Sequence, residues 1–87
     1  MLDIIGSKKR LEIMKYLSQE NRYVSELMDL TNMDGKRVKH HLERLEDEGL
    51  IESYKEGRRR YYRLVKDIKL EVSKPPEGKF LVYTTEE

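Results

Sequence analysis

The sequence predicts a small α+β domain in which three helices are followed by two β-hairpins. Three observations carry that prediction. Apolar residues recur at helical spacing up to Gly49, and the period then switches to strict alternation. Two turn signals, Glu56-Gly57 and the run KPPEGK at residues 74 to 79, each separate a pair of alternating segments. At 87 residues the chain is one domain with a single modest core. Residues 1–66 form its main unit and residues 67–87 a hairpin extension of it.

The elements follow in order. MLDIIG, residues 1 to 6, is an apolar segment that needs cover, and Ser7 is the expected N-cap of a first helix from Lys8 to about Ser18. Leu11, Met14 and Leu17 make its apolar stripe, and Ile13 widens it. The run QENR breaks the pattern. Val24, Leu27 and Leu30 then give a short second helix over about residues 24 to 30, with Thr31 to Met33 as a tight connection. Asp34 is placed to cap a third helix, in which Val38, Leu42 and Leu45 share one buried face. Gly49 stops it as the left-handed residue of a Schellman motif, which pairs Leu45 with Leu50.

Beyond the glycine, Ile51 to Lys55 and Arg58 to Leu64 read as a hairpin about Glu56-Gly57. The alternation sets Arg58 and Arg60 on one side and Arg59 on the other, and divides Tyr61 from Tyr62, one packing on the helices and one at the surface. Ile68, Leu70 and Val72 alternate in a further strand. Phe80 to Thr84 returns from the proline turn. Leu2, Ile4, Ile5, Phe80 and Val82 exceed what one thin domain can cover, so the N-terminal segment and the terminal hairpin are the candidate dimer interface.

Charge is the informative part of the composition. Eighteen Lys and Arg stand against 17 Asp and Glu, a net charge of +1, so the total indicates no partner. The distribution does. Residues 57 to 63 carry four arginines and no acid, whereas residues 43 to 48 carry four acids and one base. On the third helix Lys36 and His40 lie opposite Val38, with Arg37, Lys39 and Arg44 on the flanks, and the acids Glu46, Asp47 and Glu48 come last. A helix dipole favours the reverse order. The early bases therefore point to a polyanion outside the helix. With no cysteine, disulfides and thiolate metal sites are excluded. No apolar run has the length of a membrane span and no signal-peptide pattern opens the chain, which leads to the expectation of a soluble cytoplasmic protein without membrane association. High charge without cysteine also fits a thermophilic source.

Two helices joined by a short turn, the second with exposed bases at its start, describe a helix-turn-helix, and a following hairpin makes the winged variety. The third helix is the reader. Its first two turns offer Gly35, Lys36, Arg37, Lys39, His40 and Arg44 to the major groove of double-stranded DNA, while Arg58, Arg59 and Arg60 on the wing reach the backbone or minor groove.

IIGSKKRLEIMKYL resembles the first core helix of the ArsR-type winged helix-turn-helix transcriptional regulators, in their short, archaeal-type form, through Gly6, Ser7, Arg10, Ile13, Met14 and Leu17. VSELMDLTNMDGKRVKHHLERLEDEGLIE is similar to the family's recognition unit through Glu26-Leu27, Val38, His41-Leu42, Leu45 and Gly49-Leu50. EGRRRYYRL is similar to its wing. The resemblance covers about residues 4 to 64. It implies a sequence-specific DNA-binding repressor or activator, often a homodimer on an inverted repeat. The chain departs from metal-sensing members, because it has neither cysteines in the recognition region nor a terminal helix with histidines and carboxylates.

Other chemistry finds less support. His40 and His41 are adjacent and so point about 100° apart on a helix, a poor start for a metal site. His41 falls beside the apolar stripe as a packing residue. Arg10, next to the stripe of the first helix, is placed either to pair with a carboxylate or to reach a phosphate, the structural role being preferred. No phosphate loop, nucleophile with a base, or carboxylate pair in an apolar surround is present, so neither catalysis nor a cofactor is expected. Two rivals remain: a winged-helix module that binds protein, which would show an apolar wing or third helix, and one that binds structured RNA.

Overall fold

The computed structural model describes residues 8–78 and 80–84. Ser7 and the apolar N-terminal segment, including Leu2, Ile4 and Ile5, lie outside them.

The first helix, α1 (Lys8–Gln19), buries Ile13, Met14 and Leu17. Ile13 lies at the centre of the buried face, and Leu11 is only half-buried at its margin. Two residues after α1 comes β1 (Arg22–Tyr23), a strand that the sequence pattern does not predict. Directly behind it α2 spans Val24–Thr31, and α3 spans Gly35–Asp47. The expected stripe of α2 is shifted. Leu27 and Thr31 are buried, whereas Leu30 is 37 % exposed. Positions 27 and 31 are one helical repeat apart and face α1 and α3 together, which turns Leu30 to the flank. The buried Thr31 hydroxyl is satisfied by donating to the Leu27 carbonyl at 2.6 Å, and Lys9 Nζ donates to the Thr31 carbonyl at the end of the helix.

The turn from α2 to α3 runs through Asn32, in the left-handed region at φ 61°, a conformation asparagine tolerates better than most residues. Met33 points inward. Asp34 caps α3 as expected, its Oδ1 accepting from the Arg37 backbone N–H at 2.8 Å. The other end has the two bonds of a Schellman motif: Leu50 N–H to the Leu45 carbonyl at 3.0 Å and Gly49 N–H to the Glu46 carbonyl at 2.9 Å, with Gly49 at φ 74°. Leu45 and Leu50, which the motif brings together, are both fully buried.

The wing consists of β2 (Ile51–Glu56) and β3 (Arg59–Leu64), paired antiparallel from Ile51↔Leu64 to Glu56↔Arg59. Its turn is therefore Gly57-Arg58, one residue later than expected. Gly57 at φ 65° takes the first turn position, where a two-residue hairpin requires a left-handed backbone. Arg58 sits in the turn and not on the strand, so the side-sharing expected of Arg58 and Arg60 does not arise. β1 joins the other edge of β3, giving the order β1-β3-β2 with Tyr23 opposite Tyr61. The third strand converts a hairpin into a sheet continuous with the helices.

One face of this sheet carries Ile51, Tyr62 and Leu64 onto the helices. The resulting core also holds Ile13, Met14, Leu17, Leu27, Met33, Val38, Leu42, Leu45 and Leu50. Tyr62 is thus the inward tyrosine, and burial pushes its phenol up from the ordinary value. Strands β4 (Ile68–Val72) and β5 (Phe80–Thr84) form a separate two-stranded antiparallel sheet, in register from Ile68↔Thr84 to Val72↔Phe80. The expected contribution of Phe80 and Val82 side chains to an interface lies outside the described side chains.

Candidate nucleic-acid interface

Capping by Asp34 fixes where α3 begins, and burial of Val38, Leu42 and Leu45 fixes its rotation. Lys36, Arg37, Lys39, His40 and Arg44 are consequently all exposed, on the side away from the core. Gly35 differs. It is half-buried, and a Cβ there would come within 3.3 Å of Met28 Sδ, so its visible role is to let α2 and α3 approach.

The bases form two groups. Lys36, Arg37, His40 and His41 line a shallow pocket of about 390 Å³ on α3. Lys39 lies across a groove of about 300 Å³ from the wing residues Arg59 and Arg60, with Tyr23, Val24, Ser25 and Met28 forming its floor and side. The fold thus brings the middle of α3, the wing and the start of α2 to one surface. Arg44, a turn further along α3, lies in neither group, and Arg58 stands at the exposed tip of the wing.

The wing arginines are held differently. Arg60 Nη1 donates to Ser53 Oγ at 3.1 Å, and Ser53 Oγ in turn donates to Glu46 Oε2 at 3.4 Å, which ties that guanidinium back toward the acidic end of α3. Arg63 pairs with Glu52 at 3.1 Å. Arg59 lies over the Tyr23 ring, 4.3 Å from its centroid. The nearby Tyr61 hydroxyl, followed by Tyr23, raises its pKa above the ordinary value.

Arg22 and Tyr23, the residues of β1, are the ones that sequence patterns miss. The Arg22 side chain is 11 % exposed, donates to the Tyr16 carbonyl at 3.2 Å and pairs with Glu26 and Glu20, which locks α1 to the start of α2. A two-residue strand is too short for alternation to register. The signal within reach was Arg-Tyr-Val directly after a polar break, an aromatic and a β-branched residue where a helix start favours small polar ones.

His41 turns toward α1, where Arg10 Nε donates to its Nδ1 at 3.3 Å, while His40 is exposed. Arg10 thus takes a structural role, with a histidine among its partners where the sequence suggested a carboxylate. Burial, then the charge of Arg10, then His40 and Arg37, holds the His41 imidazole below its ordinary value. The folded chain therefore binds this proton less readily than the unfolded one. Its contribution to stability is complete above about pH 6.5, the unfolded value, and is lost as pH falls below it. We expect His41→Gln, which keeps an acceptor for Arg10 but does not titrate, to flatten the decline of melting temperature between about pH 6.5 and 5. An unchanged slope would rule out His41 as the titrating group.

Among the described residues no group of three His, Cys, Asp or Glu could hold a metal ion, and no helix is long and apolar enough to cross a membrane.

Comparison with known proteins places this surface in context. Residues 7–53 match the model of the family described as bacterial regulatory protein, arsR family. A homodimeric winged helix-turn-helix DNA-binding domain from Mycobacterium bovis, solved in solution and described as a possible ArsR-family transcriptional regulator, is 33% identical with a TM-score of 0.65. The match covers 69% of this chain and 56% of that one. A crystal structure of a possible transcriptional regulatory protein from the same organism matches at 33% identity and a TM-score of 0.64, over 69% of this chain and 64% of its own. The chain therefore spans less than two thirds of either structure. No curated protein gives a significant match. The match to the family model runs through α1, the helix-turn-helix and the first half of β2, more than half of the chain, and the chain belongs to the ArsR family of bacterial regulatory proteins.

Proposed function

We propose that the chain is a sequence-specific regulator of transcription that binds double-stranded DNA as a homodimer, with residues 1–66 as the DNA-binding unit and 67–87 as its extension. The first two turns of α3 enter the major groove, where Lys36 and His40 meet base edges. Lys39, Arg58 and Arg59 meet phosphates of the backbone. The observation that carries this reading is the convergence of α3 and the wing on one cationic groove, lined by Lys39, Arg59 and Arg60. The homodimeric state of the solved relative supports the dimer, which would present two copies of α3 to an inverted repeat.

Fluorescence anisotropy with duplexes at several salt concentrations tests the reading. Each phosphate neutralised steepens the log-log salt slope by about 0.9, so three such residues give about 2.7 per protomer. Arg60 is left out of that sum because its guanidinium is already held by Ser53. Absence of binding at low salt would sink the proposal. Preference for structured RNA over duplex DNA in competition would replace it with the RNA reading.

A further inference from the structure

The outer face of the three-stranded sheet carries a row of rings with no part in the core. Tyr54 and Tyr61 stack at 5.7 Å between centroids and 17° between planes, and Tyr61 meets Tyr23 edge-on at 5.4 Å. At one end of the row Arg63 is neutralised by Glu52. At the other end stands Arg59. It is opposite Glu56 in the ladder, yet its guanidinium lies 4.3 Å over the Tyr23 ring. Phenol rings orient a guanidinium without cancelling its charge. Tyr23 itself is fixed twice, by pairing with β3 and by serving as the extended residue that starts α2. The guanidinium is therefore referenced to the helix-turn-helix as well as to the wing that carries it.

We propose that Tyr23, braced edge-on by Tyr61, is a positioning residue that holds the Arg59 guanidinium at the groove facing Lys39, so that the wing delivers this charge to a nucleic-acid phosphate already oriented. The inference rests on the duplex-binding reading above. A free arginine has several rotatable bonds to order on binding, and a stacked one has fewer left to lose.

Double-mutant cycles on the full chain, read by anisotropy against duplex DNA, supply the test. Tyr23→Leu raises Kd roughly two- to fivefold on every duplex, the size of an exposed cation–π interaction. Tyr23→Phe keeps the ring and retains wild-type affinity. In an Arg59→Ala background, Tyr23→Leu has no further effect. An equal loss in that background would show that Tyr23 acts through the fold and would overturn the proposal, as would no loss in the wild-type background. Nuclear magnetic resonance of the DNA-free protein gives a second readout. The Arg59 side-chain protons are shifted upfield by the ring in wild type and Tyr23→Phe, and not in Tyr23→Leu. Identical Arg59 shifts in all three overturn the stacking itself. A wild-type chain that shows the ring shift but binds no duplex overturns the functional reading, and the positioning role with it.

Discussion

Leu45→Ala should cost about 3 to 5 kcal/mol, the upper part of the range for a buried leucine, and bring the isolated chain close to unfolding. Leu45 is fully buried, on the inner face of α3, and its carbonyl accepts the Leu50 N–H that closes the helix. Truncation removes packing from both sides of the core at once. The Schellman motif and the wing strand leave little freedom for neighbours to collapse into the space. A chain of 87 residues has a total stability of roughly 4 to 13 kcal/mol at ordinary values per residue, so one such cavity can remove most of it. Leu30→Ala on the neighbouring helix is the matched control. Leu30 is 37 % exposed, and its loss should cost no more than about 1 kcal/mol. Urea denaturation at fixed protein concentration checks both, since dimerisation makes apparent stability depend on concentration. A Leu45→Ala midpoint within about 0.5 M of wild type, with unchanged slope, would mean that α3 is not seated on the core through this leucine.

That contrast between two leucines also shows where the sequence is legible. The third helix can be read because capping, period and stop signal agree: Asp34, the Val38-Leu42-Leu45 face and Gly49 each specify the same boundaries, and each is in place. The second helix has only two turns, too few for a period to separate Leu30 from Thr31 as the core-facing residue. The β1 strand has no periodic signature, only the aromatic Tyr23 and β-branched Val24 after a polar break. Its two residues become a strand because β3 has a free edge beside the start of α2, a cause that lies 38 positions away at Tyr61. The same limit applies to the interface. Exposure of Lys36, Lys39 and His40 follows from helix rotation and so from sequence, whereas the different anchoring of Arg59, Arg60 and Arg63 depends on cross-strand neighbours that no pattern within one segment reveals.

Arg59→Ala and Lys36→Ala should weaken DNA binding in distinguishable ways. Arg59 reaches the groove from the wing and Lys36 sits on the first exposed turn of α3, which suits the former to phosphate and the latter to a base edge. Every sequence offers the same phosphates. Arg59→Ala should therefore raise Kd by a similar factor on all duplexes and make the salt slope shallower by about 0.9 per protomer, or about 1.8 for a dimer. Lys36→Ala or His40→Ala should leave non-specific affinity nearly unchanged but reduce discrimination among sequences by about 1 to 3 kcal/mol for each base-edge hydrogen-bonding group removed. Because Lys36 and His40 are four residues apart on one helix face, the bases they meet should be neighbours in the site, and the two substitutions should relax preference there and not across the whole operator. Anisotropy against a panel of duplexes with single base-pair changes resolves the difference. A sequence-dependent loss for Arg59→Ala, paired with a uniform loss for Lys36→Ala, would exchange the two roles and place the wing in a groove as the reader of bases.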